Sequence, residues 1–139
     1  MNVMAHTTPA RAFRVVLWIG IAVNLVLAAG VIADPGAMLA RFQLPPADPL
    51  LWPRFAALLL ILLSMFYMPA GIDLDRYRAN AWMAVGSRLV GVVFFLVFEP
   101  VYRALGFVDL VFVVPEAILL ILAVRSAAAA PAARSVGTL

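Results

Sequence analysis

The sequence predicts an all-α integral membrane protein, a bundle of four transmembrane helices. Of its 139 residues, 66% are apolar and only 12% are charged, with a mean hydropathy of +1.08. A soluble domain has about half its residues apolar and about a quarter charged. The apolar residues also form four continuous runs, each near the about 20 residues that cross a hydrocarbon core. Continuous runs favour helices, because the strands of a membrane barrel alternate apolar and polar residues.

The first run covers 13–32 and carries no charge between Arg14 and Asp34. It has a competing interpretation as a signal peptide, in which Arg11 and Arg14 form the basic region and Ala33 ends a cleavage site. The run is longer than the roughly 7–15 apolar residues of a signal peptide. We therefore expect it to be retained as a transmembrane helix.

The other runs cover 51–68, 81–98 and 108–124, and proline and glycine punctuate the connections between them. The first connection also has apolar residues around Arg41, a pattern compatible with a short helix lying at the membrane interface. We predict a tail over 1–12, a transmembrane domain over 13–125 and a disordered, alanine-rich tail over 126–139.

The distribution of arginine predicts the orientation, because loops on the cytoplasmic side carry an excess of basic residues. Six arginines fall on the side of the two termini and three on the other. The sequence therefore predicts a multi-pass protein of the cell inner membrane with both termini in the cytoplasm. Aromatic residues near the two membrane interfaces fit this orientation. The inner belt consists of Trp18, Tyr67, Tyr77 and Trp82, and the outer belt of Trp52 and Tyr102.

Several kinds of chemistry are excluded by composition. The chain has no cysteine, and its one histidine, His6, precedes the first run, so no membrane segment offers a haem-ligating histidine. Phosphate loops, zinc-protease motifs and nucleophile elbows are absent from the sequence. Asp73 and Asp75 are close enough to chelate a cation, but neighbouring arginines favour a solvated turn. We expect no resident cofactor, no metal and no nucleic-acid partner.

Charge inside a membrane is costly and usually faces the bundle interior. The last three apolar runs offer four such residues, Arg54, Arg88, Asp109 and Glu116. Depths follow from a helical rise of about 1.5 Å per residue. Arg88 and Glu116 then lie level on consecutive, antiparallel helices. Arg54 and Asp109 lie level near the opposite end. The sequence predicts two ion pairs, Arg88–Glu116 and Arg54–Asp109.

Other residues on the same helix faces support a polar interior. Pro115 removes one backbone N–H beside Glu116. Gly20 and Asn24 share a face of the first helix, and Arg88 and Gly91 share one of the third. Small residues on such faces permit close helix approach.

Two interpretations of these residues remain open. The charges either pin the helices together, with Asn24 and Ser64 adding interhelical hydrogen bonds, or line a pocket for a ligand. The candidate ligand-binding residues are Asn24, Arg54, Arg88, Asp109 and Glu116.

The layout over 13–124 resembles the small four-helix membrane proteins grouped as DoxX-like. The resemblance is carried by Asp34-Pro35 after the first run, Arg54 opening the second, the segment 73–78, and 106–110 opening the fourth. It implies a quinone-linked role or an accessory role beside a membrane oxidoreductase, in which any redox centre belongs to the partner.

Three functions are compatible with these observations. The first is an accessory or assembly subunit of a larger membrane complex. The second is a binder or enzyme for a lipophilic small molecule, such as a quinone, that uses the membrane charges. The third is a small multidrug-type transporter, which the sequence disfavours because its essential carboxylate belongs in the first helix, where only Asn24 stands. Besides the lipid bilayer, the expected partners are a larger membrane complex or further copies of this chain.

Overall fold

The protein is an all-α bundle, as predicted. The computed structural model describes residues 7–135, with side chains for 7–129, and contains no strand within that part of the chain. Its helices are α1 Thr8–Ala33, α2 Pro35–Arg41, α3 Leu51–Ile72, α4 Arg78–Val93 and α5 Arg103–Ser135. A π-helical turn, Phe94–Phe98, and a 3₁₀ turn, Pro100–Tyr102, join α4 to α5.

Four of these segments are long and apolar enough to cross a membrane. They are Thr8–Ala33, Leu51–Ile72, Arg78–Phe98 and Pro100–Ala129. Large apolar side chains such as Val26, Val90 and Val111 are about 70% exposed on the outside of the bundle. An outer surface of this kind suits contact with lipid rather than water.

The four long helices close into a ring in which α1 packs on α3, α3 on α4, α4 on α5 and α5 on α1. Most of the buried apolar residues form one cluster along the centre of this ring. Its largest members are Phe13, Leu17, Ile21, Tyr67, Leu74 and Leu120. Helices α3 and α5 are therefore on opposite sides of the ring, which decides which charges meet.

The helices run further than the apolar runs predicted. The run 51–68 predicts that Pro69 lies in a connection, but α3 continues through it to Ile72, and the Pro69 carbonyl accepts a hydrogen bond from the Asp73 amide at 2.9 Å. Helix α5 continues ten residues beyond Arg125, through a stretch rich in alanine, the best helix former. The predicted disordered tail is thus helical over 126–135. Residues 136–139 and the first half of the predicted N-terminal tail, 1–6, lie outside the described residues.

Local capping explains the short helix α2. The Asp34 carboxylate accepts a hydrogen bond from the Ala37 amide at 2.9 Å, and Pro35 occupies the first helical position. Both features are typical of a helix start. Gly30 of α1 lets α2 fold back closely, because a Cβ there would lie 3.0 Å from the Met38 sulfur. The predicted short helix is present.

Candidate functional site

The centre of the bundle holds one arginine between two carboxylates. Arg88 of α4 donates a hydrogen bond from Nη1 to Oδ1 of Asp109 at 3.2 Å. Its Nε lies 3.3 Å from Oε2 of Glu116, also on α5. Asp109 and Glu116 are seven residues apart, so they stand on one stripe of the helix, about two turns from each other. We call Arg88, Asp109 and Glu116 the polar triad.

The triad confirms one of the two predicted ion pairs and corrects the other. Arg88 pairs with Glu116, as the matching depths of consecutive helices predicted. Asp109, however, pairs with Arg88 and not with Arg54. Arg54 is on the exposed surface of α3 and has no ion pair among the described residues. The reason is the ring order: α3 and α5 do not adjoin, whereas α4 adjoins α5.

The triad is deeply buried but incompletely paired. The Arg88 side chain is 2% exposed and that of Glu116 is fully buried, whereas the Asp109 side chain is 24% exposed. Arg88 Nη2 and Glu116 Oε1 have no hydrogen-bond partner among the described residues, and the contact between Nε and Oε2 lacks hydrogen-bond geometry. With every group ionised, the triad carries a formal charge of −1. Buried polar groups normally find partners, so these unpaired atoms require an explanation.

Two glycines give the triad its space. A Cβ on Gly20 of α1 would lie 2.5 Å from Arg88 Nη2, so the guanidinium extends across the ring to α1. A Cβ on Gly91 of α4 would collide with Oδ2 of Asp109. Any larger residue at either position would displace a charged group. The small-residue faces predicted from the sequence therefore accommodate the charges as well as the neighbouring helices.

Aromatic rings enclose the guanidinium. The Arg88 Cζ atom lies 4.9 Å from the centre of the Phe112 ring and 5.8 Å from that of Tyr67. Both distances are within the range of cation–π attraction, which strengthens when the cation is desolvated. The rings thus stabilise a charge that has lost its water.

Tyr67 is the residue that sequence reasoning placed wrongly. It was predicted in the inner aromatic belt, but it is 1% exposed inside the bundle, and its hydroxyl is hydrogen-bonded to Ser87. Ser87 itself bonds the Met83 carbonyl at 2.7 Å. The sequence spacing could have indicated this position, because Tyr67 follows Ser64 by three residues and so shares its helix face.

A separate hydrogen bond ties α1 to α3. Asn24 is 5% exposed, and its Nδ2 donates to Oγ of Ser64 at 3.3 Å. Ser64 in turn donates to the Leu60 carbonyl at 2.8 Å. The interhelical hydrogen bond that the structural interpretation expects is therefore present.

The triad offers acid–base and hydrogen-bonding groups rather than a metal site. The described residues contain no cluster of three or more metal-ligating side chains. Asp73 and Asp75, the other candidate chelators, form a turn: Asp73 accepts a hydrogen bond from the Arg76 amide at 3.1 Å, and Asp75 pairs with Arg78 at 3.5 Å. The interpretation of these aspartates as turn residues fits this geometry.

Comparison of the chain with protein-family models, with curated proteins and with solved structures finds no match. The resemblance to DoxX-like proteins and the accessory role that it implies stay predictions. The function must therefore be argued from the triad itself.

Proposed function

We propose that this chain is a membrane-embedded binding protein for a lipophilic small molecule whose polar head both accepts and donates hydrogen bonds. The polar triad is the binding site, and a quinone–quinol pair is the ligand class that suits it best. The observation that carries the proposal is a buried guanidinium and a buried carboxylate that each keep an unpaired polar atom.

The net charge of the polar triad favours a ligand that brings a proton or a hydrogen-bond donor. One arginine faces two carboxylates, so the ionised triad has a surplus negative charge in a region that lipid surrounds. An uncompensated charge inside a membrane costs several kcal/mol. A hydroxyl group that donates to Glu116, or a proton on one of the carboxyls, offsets that cost.

The unpaired atoms define the polar head. Arg88 Nη2 is an unused donor, and Glu116 Oε1 is an unused acceptor. A quinone carbonyl accepts from the first, and a quinol hydroxyl donates to the second. The Phe112 and Tyr67 rings near the guanidinium suit a flat, apolar ring system.

Access is easiest beside Asp109. Its side chain is 24% exposed, whereas Arg88 and Glu116 are almost fully enclosed. Gly91, which adjoins Asp109, keeps this part of α4 free of side-chain bulk. A polar head approaches the triad along this route while its apolar tail stays in the surrounding lipid.

The test measures binding of a short-chain ubiquinone to the purified protein in mild detergent. Ligand that binds only the folded state raises the melting temperature in proportion to RT ln(1 + [L]/Kd). We expect a concentration-dependent rise for the unaltered protein and at least a roughly tenfold weaker response for Glu116→Gln, the loss of one charged hydrogen-bond partner being worth about 1.5–3 kcal/mol. Glu116→Gln preserves shape and leaves the Arg88–Asp109 pair intact, so the fold should persist.

The matched control is Arg54→Gln, which also removes one charge but lies outside the triad on an exposed surface. It should bind the quinone as the unaltered protein does. If the unaltered protein shows no response to the quinone, or if Glu116→Gln responds equally well, the triad is only a clamp between α4 and α5 and the proposal is wrong.

A further inference from the structure

A second feature lies at the start of α1, remote from the polar triad. A surface depression of about 420 Å³ is lined by Arg11, Arg14, Val15, Trp18 and Ile19. Their spacing of three, four, seven and eight residues from Arg11 places them on one helix face. The face is cationic at the helix start and apolar along the next two turns.

Arg14 and Trp18 are anchored to the neighbouring helix through one carbonyl. Arg14 Nε donates to the Gly71 carbonyl oxygen at 2.7 Å, and Trp18 Nε1 donates to the same atom at 3.3 Å. Gly71 is in the last turn of α3, where unpaired carbonyls attract cations. A Cβ at Gly71 would lie 2.8 Å from the indole nitrogen, so glycine is needed for this contact. The arginine is thereby held in place through Nε, with its two terminal amino groups left over.

Within the part of the chain that the structure describes, no ion pair neutralises the positive charge of this face. Neither Arg11 nor Arg14 forms an ion pair among the described residues. The nearest acidic residues along the chain from Gly71 are Asp73 and Asp75. Asp73 accepts a hydrogen bond from the Arg76 amide and Asp75 pairs with Arg78. Within the described part of the chain, the two guanidinium groups therefore have no carboxylate to balance them.

The remainder of the face is apolar and open. Val15 is 58% exposed, Ile19 is 52% exposed and Trp18 is 40% exposed. Tryptophan and arginine at the end of a transmembrane helix belong at the level of the lipid headgroups. Val15, which follows Arg14, and Ile19, which follows Trp18, extend this face toward the hydrocarbon region. The depression thus joins a cationic end to an apolar groove, as the shape of a phospholipid requires.

We propose that this face binds an anionic phospholipid. The lipid phosphate lies between the guanidinium groups of Arg11 and Arg14, and one acyl chain runs along Val15, Trp18 and Ile19. Arginine is suited to the phosphate because its planar fork donates two parallel hydrogen bonds. The charge of the site selects anionic lipids over zwitterionic ones.

Native mass spectrometry of the detergent-purified full chain tests the proposal. The protein is titrated with phosphatidylglycerol and, separately, with phosphatidylcholine of the same acyl chains. We expect phosphatidylglycerol to bind at least fivefold more tightly. Each basic residue near an anionic lipid contributes on the order of 1 kcal/mol, so Arg11→Gln should weaken phosphatidylglycerol binding roughly fivefold and Arg11→Gln with Arg14→Gln roughly 30-fold.

Arg54→Gln is the control, because it removes an exposed arginine from a different helix and should leave the lipid affinity unchanged. Arg11→Gln keeps the Arg14–Gly71 hydrogen bond and so separates lipid binding from folding. Equal affinity for the two lipids, or unchanged phosphatidylglycerol binding in Arg11→Gln, would overturn the proposal. So would displacement of the lipid by an equal concentration of inorganic phosphate, since the groove would then contribute nothing.

Discussion

A Cβ on Gly20 would lie only 2.5 Å from Nη2 of Arg88, so the guanidinium from α4 occupies the space that glycine leaves on α1. The two residues are 68 positions apart in the chain, and their helices are on opposite sides of the ring. Arg88 thus reaches across the whole bundle while it pairs with two carboxylates on α5.

Gly20→Ala should destabilise the protein by about 1–3 kcal/mol, because the added methyl group overpacks the interior and displaces Arg88. Thermal unfolding in detergent, followed by circular dichroism, measures the change. Gly86→Ala is the matched control, since a Cβ there meets nothing within 4 Å. It should leave stability unchanged or raise it by up to about 1 kcal/mol, because alanine favours helix. Equal effects at the two positions would contradict the packing described.

Arg88→Leu should be far more harmful than Arg54→Leu. The first change leaves Asp109 and Glu116 without their shared cation, and breaking a buried pair costs about 3–5 kcal/mol. Arg54 is exposed and unpaired within the described chain, so its replacement should change stability by no more than about 0.5 kcal/mol. Melting temperatures of the two purified variants decide the matter. A comparable loss for both would mean that Asp109 depends on Arg54 after all.

The Asn24–Ser64 hydrogen bond should make a small contribution. Side-chain hydrogen bonds between transmembrane helices average about 0.6 kcal/mol in double-mutant cycles. We expect a coupling energy of that size from Asn24→Ala, Ser64→Ala and the combined variant. The measurement is the free energy of unfolding in mixed micelles of the unaltered protein, the two single variants and the double variant. A coupling near zero would show that the 3.3 Å contact does not hold α1 to α3.

The predicted orientation is testable because the chain has no native cysteine. In intact cells, a membrane-impermeant maleimide should label Asp48→Cys, in the connection between α2 and α3. It should not label Arg76→Cys, in the connection between α3 and α4, until the membrane is opened. The reverse pattern would place both termini outside and refute the prediction from arginine distribution.

Much of the fold was readable from one-dimensional patterns. Runs such as 13–32 need only hydropathy to be recognised, because lipid requires apolar residues over a fixed length. The depth match of Arg88 and Glu116 needed only helical rise and a short connection between consecutive helices. Both predictions were confirmed. The predicted helix ends were less accurate. Pro69 is tolerated inside α3, and the alanine-rich segment after Arg125 favours a helix once the preceding turns have formed.

The sequence could not predict in the same way which interior charges form ion pairs. Arg54 and Asp109 match in depth, yet depth does not say which helices adjoin. Tyr67 shows the same limit, since hydropathy places an aromatic ring near an interface but does not say that it turns inward toward Ser87.

The sequence by itself determined that this chain forms four membrane-spanning helices with charge in their interior, because hydropathy and helical rise depend only on residue order. The tertiary structure decided that one arginine serves both carboxylates and that glycines on α1 and α4 make room for it. The physical reason is that ring order and side-chain reach are properties of packed helices. Arg88 lies on a helix that adjoins α5, and its side chain is long enough to reach α1, whereas Arg54 lies on α3, across the ring from α5.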